Sequence, residues 1–154
     1  MIVTFDIKGT AQAAKMLALM TDRAKDVRGA LNKIADEFTA HERTVFIRQG
    51  AVEGLAGWAP LKPDYAAEKL ASGYSGGILV RTGRLRMSLT NKNDANFVMR
   101  MTPKSLKIGT SVPYAMYHRK GTVHMPKREP IRTSPAQLLR WKEILRNFIF
   151  YAKK

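Results

Sequence analysis

Apolar residues recur every three or four positions over most of the first third of the chain. This spacing predicts amphipathic helix, because it places the apolar side chains along one face. The stripe consists of Leu17, Met20, Ala24, Val27, Leu31, Ile34, Phe38 and Val45, with one position skipped before the last. Thr21 and Asp22 favour helix starts, so we expect two helices with a break near residues 21–23. One long helix fits the same phase, and the pattern leaves that alternative open.

Extended segments are expected in three places. Val3, Phe5 and Ile7 alternate with polar neighbours and predict a short strand over residues 2–7. The apolar run 78–80 predicts a second short strand. Two further alternating runs, 97–101 and 106–108, flank Pro103 and predict a β-hairpin with this proline in its turn.

Glycine and proline concentrate between residues 50 and 77, where we expect a long irregular loop. A short helix from about residue 63 to Leu70 fits inside it. Part of the loop should pack against the body, because exposing a large apolar side chain forgoes about 1.5–3 kcal/mol. The anchoring side chains are Trp58, Leu61 and Tyr65. The tip at 73–77 should move.

Two short helices should follow this loop. Thr82 is suited to cap the first, which continues to about Leu89. Ser111 and Pro113 start the second, which ends at Gly121. The second helix places on one face the side chains of Tyr114, Tyr117 and His118.

The C-terminal helix, at about 135–152, has a distinct start. Ser134 is a capping residue, proline follows at the first helical position, and Gln137 completes the pattern of a capping box. Its core stripe comprises Leu138, Trp141, Leu145, Phe148, Ile149 and Ala152. Leu139 and Phe150 fall outside that stripe and are candidate subunit-interface residues, although isolated apolar residues are also common on protein surfaces.

These elements predict an α+β fold in a single domain over residues 1–154. We expect a small antiparallel sheet packed with two to three substantial helices. A length of 154 residues with 45% hydrophobic content suits one globular core.

The chain has a large excess of positive charge, concentrated in its C-terminal part. The net charge is +15, and residues 61–154 contain nineteen basic and five acidic side chains. Between residues 81 and 120 the only acid is Asp94. Such a one-sided field points to a polyanion or an acidic partner surface, with a solvated face kept for solubility as the alternative. The candidates for facing DNA or an acidic partner are Arg81, Arg84, Arg86, Arg100, Lys104, Lys107, Arg119 and Lys120.

Catalytic patterns are lacking, and we expect no enzyme, no cofactor and no metal site. The three histidines have no metal-ligand spacing, and the glycines near residue 76 match no phosphate-binding loop. His41 lies at the edge of its helix stripe, which favours a hydrogen-bonded structural histidine. No apolar run approaches the length of a membrane span, the N-terminus lacks a secretory pattern, and the absence of cysteine fits a protein made in a cytoplasm.

Five segments, in order along the chain, carry a family resemblance. They are Phe46 followed by Gly57-Trp58-x-x-Leu61, Tyr65 and Lys69; Ile78-Leu79-x-Arg81-Thr82-Gly83-x-Leu85-x-x-Ser88-Leu89; Ile108-Gly109-Thr110; Pro113-Tyr114-Ala115-x-x-His118-x-x-Gly121; and Pro126-x-Arg128-x-Pro130. Together they resemble the tailed-phage virion morphogenesis family, also called tail completion proteins, over residues 40–135. The match is imperfect, since Arg119 stands where such proteins often carry glutamine.

The resemblance implies a structural protein of the virion, made in the host cytoplasm, that forms a homo-oligomeric ring at the phage neck. The ring, a hexamer by the same resemblance, would contact the head connector or head-closure protein and the tail terminator or tail tube. Genomic DNA would pass through it. The alternative function, from the residues themselves, is a basic nucleic-acid-binding module that acts without sequence preference.

Most of the motif residues have an ordinary structural explanation. Trp58, Leu61, Leu85 and Tyr114 are expected to pack loops against the body of the protein. Arg128, between two prolines, should fix the basic loop by pairing either with an acid or with a backbone carbonyl, and the sequence does not choose between them.

Overall fold

The computed structural model describes residues 10–151, so the predicted strand at 2–7 and the position of Ala152 lie outside the described residues. Within this range the fold is α+β, as predicted: six helices accompany one two-stranded antiparallel sheet. The elements are α1 (Thr10–Lys25), α2 (Arg28–Ile47), α3 (Pro63–Ala71), α4 (Arg84–Thr90), β1 (Phe97–Thr102), β2 (Ser105–Thr110), α5 (Ala115–Lys120) and α6 (Pro135–Phe150).

The first helical stretch is two helices, but the break lies at Asp26 and Val27 rather than at 21–23. The amide of Val27 donates to the carbonyl of Pro103 at 2.8 Å, so this amide does not continue the hydrogen bonds of α1. The Asp26 carboxylate accepts the amide of Arg28 and starts α2. Thr21 caps nothing, because its hydroxyl donates back to the Leu17 carbonyl inside α1.

The predicted hairpin is confirmed, with Pro103 between its strands. One face of the sheet is half-buried against the helices and contains the facing pairs Phe97–Thr110, Met99–Ile108 and Met101–Leu106. The other face contains the intervening pairs, because successive side chains of a strand point to opposite sides. The sheet therefore covers the core with one face, and on the other face Arg100 and Lys107 are exposed.

Helix α2 is central and contacts α4, α6 and both strands. Its buried side chains form two clusters. The larger joins Phe38, Val45 and Phe46 to Trp58, Leu85 and Leu89; the smaller joins Val27, Leu31 and Ile34 to the inner side of α6. Gly29 allows the close approach of α6, since a Cβ there would lie 2.7 Å from the Phe148 ring.

Helix α6 begins as predicted. The Ser134 hydroxyl accepts the amide of Gln137 at 2.9 Å, and Pro135 is the first helical residue. The reciprocal bond of a capping box is absent from the described contacts of Gln137, whose side chain instead donates to Glu37 on α2. The predicted stripe is wrong at Leu138, which is exposed, whereas Ile144 packs against the core unpredicted.

Three loop predictions are wrong in detail. Residues 78–80 form a turn rather than a strand, because the amide of Val80 bonds to the carbonyl of Gly77 and Leu79 has a left-handed backbone (φ +61°). Thr82 does not cap α4: the residue before that helix is Gly83, at φ +81°. The helix expected from Ser111 or Pro113 begins only at Ala115, although it ends at Gly121 as expected.

The loop over 50–77 packs in part, as expected. Trp58 is buried, with its ring edge-on to Phe46, and α3 begins at Pro63 and ends one residue beyond the predicted Leu70. Tyr65, expected to anchor the loop, is 39% exposed. At the tip, Lys69 donates to the carbonyls of Gly76 and Gly77 at 2.6 and 2.7 Å. The motion expected for residues 73–77 stays a prediction.

Candidate functional site

The eight basic side chains proposed from the sequence are all exposed, and they lie on different elements. Arg100, Lys104 and Lys107 lie on the hairpin; Arg81 and Arg84 line a cavity beside α3 and α4; Arg119 and Lys120 occupy the last turn of α5. Arg86 is exposed on α4. The basic residues thus come from several elements of the fold.

The hairpin carries the most concentrated of these groups. Arg100 and Lys107 are directly opposite each other on the outward face of the sheet, and Lys104 follows in the turn. Like charges in facing positions destabilise a sheet by about 0.2–1 kcal/mol. Among the described residues, none of the three forms an ion pair with an acid. We call these three residues the basic hairpin face.

The bases near α4 and α5 have local partners. Arg81 lies 3.8 Å from the carboxylate of Glu68 and 5.1 Å from the centre of the Tyr74 ring. Arg84 donates to the side chain of Asn96 at 3.2 Å. Arg119 and Lys120 stand at the C-terminal end of α5, where the helix dipole stabilises positive charge. Local structure therefore accounts for these four charges better than for the hairpin group.

A cavity of about 550 Å³ lies where four of the five segments quoted above meet. Its walls come from the 61–69 segment, the turn and helix start at 79–85, α5, and the 124–128 loop. Aliphatic and aromatic side chains form much of the surface: Leu61, Tyr65, Leu79, Leu85, Tyr114 and Met125. The sequence could not reveal this cavity, because its walls are separated by up to 67 positions along the chain.

The cavity is positively charged. Lysine, arginine and histidine side chains line it, and none of its lining residues is acidic. Two of the cations are buried: Lys69 is 4% exposed and Arg128 is 5% exposed. Both are held by backbone carbonyls rather than by carboxylates. Burial, together with the charge of Arg81, lowers the pKa of Lys69. We call this site the cationic cavity.

The sequence did not show whether Arg128 pairs with an acid or with a backbone carbonyl, and the structure does. Its Nε donates to the carbonyl of Ala59 and a terminal nitrogen to that of Pro60, both at 2.7 Å. The neighbouring Glu129 carbonyl accepts the indole N–H of Trp58 at 2.8 Å. Three hydrogen bonds therefore join the 58–60 segment to the 128–129 segment, and the partners are carbonyls rather than acids.

His118 lies on the cavity wall. Burial lowers its pKa, and the positive charge of Arg128 lowers it further. Its ring is edge-on to Tyr114, and its Nδ1 has no hydrogen-bond partner among the described residues. Between residues 10 and 151 no group of three or more histidine, aspartate or glutamate side chains could hold a metal ion.

A buried carboxylic acid in α2 was not foreseen. Glu42 is 1% exposed, and neither oxygen has a hydrogen-bond partner among residues 10–151. Burial raises its pKa well above the ordinary value, and the charge of Glu37 raises it further. The skipped position in the helical stripe is the signal for it, since Glu42 lies four residues after Phe38 and three before Val45. His41, expected to be hydrogen-bonded, is buried with its Nε2 unpartnered within the same range.

Glu37 and Arg140 form a polar link between α2 and α6 that the sequence did not indicate. Glu37 accepts the indole N–H of Trp141 at 2.5 Å and pairs with Arg140 at 2.9 Å. Arg140 also pairs with Glu53 at 2.6 Å. The candidate interface residues Leu139 and Phe150 are 64% and 46% exposed on α6.

The model of the phage virion morphogenesis family matches residues 8–148. The chain therefore belongs to the phage virion morphogenesis family, as the five segments indicated. This is a family of structural and assembly proteins, so the chain has a role in assembling the phage virion. A search of curated proteins gave no match, and neither did a search of solved structures. None of the helices described here combines the length and apolarity needed to cross a membrane.

Proposed function

We propose that this protein is a tail completion, or neck, subunit that forms a closed ring where head and tail join. The basic hairpin face carries the proposal. Its opposed charges repel each other in the isolated chain, and a polyanion would relieve that repulsion. DNA passing through a ring would supply such a polyanion, as would an acidic surface of the connector.

Closed rings are built from heterologous interfaces, in which one patch of a subunit meets a different patch on the next. Leu139 and Phe150 provide one such patch on the outer side of α6. Substituting both with serine should lower the fraction of assembled particles while leaving the melting temperature unchanged, because neither side chain is buried. Ile47→Ser is the matched control, since Ile47 is 79% exposed on another helix.

Imaging of purified virions tests the location directly. We expect density for this chain between connector and tail, and its absence from purified particles would refute the proposal. Deleting the gene should leave filled heads and separate tails, and a plasmid copy of the wild-type gene should restore joining. Infectious particles at normal yield from the deletion strain would contradict a neck function.

The basic hairpin face also favours a second candidate, the sequence-tolerant nucleic-acid-binding module. Such a module would bind short duplexes as an isolated protein, with a log–log salt slope of about −0.9 for each phosphate neutralised. Lys104→Glu and Lys107→Glu should weaken that binding, whereas Lys142→Glu on α6 should not. Binding in solution together with absence from virions would favour this module over the neck ring.

A further inference from the structure

The cationic cavity is lined by basic side chains and by no carboxylate, and among residues 10–151 the ion pair that its lining residues form is that of Arg81 with Glu68, at 3.8 Å. Lys69 and Arg128 are buried, and transferring an ionised group away from water costs free energy unless an opposite charge or strong hydrogen bonds compensate. Backbone carbonyls supply the hydrogen bonds, but the cavity lining contains no carboxylate. An anion that entered the cavity would be attracted by both charges at low local dielectric.

The walls of the cationic cavity also contain apolar side chains, which indicate a ligand with an apolar group as well as negative charge. Leu61, Leu79 and Met125 present apolar surface inside a cavity of about 550 Å³, a volume typical of sites that enclose a ligand. Leu79 reaches this position through a left-handed backbone conformation, which costs on the order of 1 kcal/mol in a residue other than glycine. A DNA backbone has no apolar group to fill such a space, whereas an acidic peptide segment with an aromatic or leucine side chain does.

We propose that the cationic cavity binds an acidic, apolar-anchored peptide segment of a neighbouring virion protein. This proposal rests on the neck function proposed above and names the chemistry of the partner. The apolar side chain lies between Leu61, Leu79 and Met125, and flanking carboxylates face the cations. Lys62 and Arg81, exposed at the cavity, attract the segment.

The test uses the purified full chain and a set of fluorescein-labelled eight-residue peptides. In each peptide two aspartates flank one apolar residue, which is varied in turn through phenylalanine, tryptophan, tyrosine, leucine and methionine. We expect fluorescence polarisation to detect binding at about 0.15 M salt. Replacing the aspartates with asparagine, or the apolar residue with serine, should each weaken binding at least about tenfold, or 1.4 kcal/mol.

Matched charge reversals locate the site. The double variant Lys62→Glu/Arg81→Glu should weaken peptide binding at least about tenfold, whereas Lys104→Glu/Lys107→Glu, with the same change in net charge, should not. All four side chains are exposed, so both variants should keep the wild-type circular dichroism; His124→Glu provides a second substitution at the cavity. An unlabelled DNA duplex should displace little peptide.

Three results would overturn the proposal: no acidic peptide of the set binds, duplex DNA competes as well as unlabelled peptide, or the hairpin variant weakens binding as much as the cavity variant. The assay uses isolated protein, so its outcome is separate from that of the neck function. Peptide binding by a chain absent from virions would refute the neck location alone, and a neck protein that binds no peptide would refute the cavity proposal alone.

Discussion

Replacing Arg128 should loosen the connection between the 58–60 segment and the 126–130 loop. Arg128→Met keeps the aliphatic part of the side chain and removes both hydrogen bonds to the carbonyls of Ala59 and Pro60. Hydrogen bonds from a charged donor contribute about 1.5–3 kcal/mol each, so the two together give roughly 3–6 kcal/mol. The variant also avoids the desolvation cost of burying a cation, which offsets part of the loss. We therefore expect a net decrease of about 2–4 kcal/mol in the free energy of unfolding.

Urea unfolding followed by circular dichroism measures this change. For a chain of this size the expected loss corresponds to a decrease of roughly 4–16 °C in melting temperature. Arg128→Lys keeps the charge but lacks the planar pair of donors, so its stability should lie between those of the wild type and Arg128→Met. Arg132→Met is the exposed-side control: the Arg132 guanidinium bonds to the Ala56 carbonyl in a solvent-accessible position.

A second measurement separates the electrostatic role of Arg128 from its packing. The charge of Arg128 is the smaller of two causes that lower the pKa of His118, after burial. Titration of the imidazole by NMR should show a higher pKa in Arg128→Met and an unchanged pKa in Arg128→Lys. A stability within about 0.5 kcal/mol of wild type, together with an unmoved His118 pKa, would refute the structural role that we assign to this arginine.

Three further predictions concern α2, α6 and the loop tip. Glu42→Gln should flatten the pH dependence of stability. Because the pKa of Glu42 is raised in the folded state, the folded protein binds one more proton than the unfolded chain above about pH 4.5. The free energy of unfolding of the wild type should therefore fall as the pH rises above this value, by up to about 1.4 kcal/mol per pH unit. Equal pH slopes for wild type and variant would contradict this. Ser134→Ala should lower the free energy of unfolding by about 1 kcal/mol through loss of the α6 cap, with Thr133→Ala as the control in a thermal melt. Gly77→Ala should lower the free energy of unfolding by about 1–3 kcal/mol. A Cβ at this position would collide with the side chain of Gln49, which hydrogen-bonds to the carbonyl of Phe46 and the amide of Ile78. A melting temperature equal to that of the wild type would show that these two hydrogen bonds contribute nothing.

Local patterns predicted the elements whose structure is decided locally. The hairpin follows from period-two alternation on both sides of Pro103, and the start of α6 follows from the hydroxyl of Ser134. Each signal lies within a few residues of the structure that it determines. The same holds for the core face of α2, which the spacing of its apolar residues specified.

Predictions failed where distant parts of the chain decide the conformation. The turn at 78–80 depends on a hydrogen bond from the Ile78 amide to the side chain of Gln49, 29 residues away. The break after α1 depends on Val27 donating to Pro103, across 76 positions. Short apolar runs and capping residues are compatible with several conformations, so long-range hydrogen bonds settled both cases.

Only part of the candidate site could be predicted from the sequence, because contacts between distant segments determine the rest. Charge is a property of composition, so the sequence identified the excess of bases and even the segment that contains the basic hairpin face. It did not distinguish bases that meet solvent from bases buried in a cavity, because that difference arises when segments 60 or more residues apart come together. Arg128 was placed in a basic loop, but its burial and its carbonyl partners required the fold.

The two cationic sites differ in how salt affects them, and this difference bears on their functions. At physiological ionic strength the screening length is about 8 Å, so the exposed charges of the basic hairpin face act only on an anion that comes close. Contacts of that kind suit a sequence-independent polyanion that must slide past, as DNA does when it leaves a head. The buried charges of Lys69 and Arg128 are screened far less and are surrounded by apolar walls. A site of that kind suits a partner that stays bound. Under the two proposals, one subunit would therefore let the genome pass on one surface and hold a neighbouring protein on another.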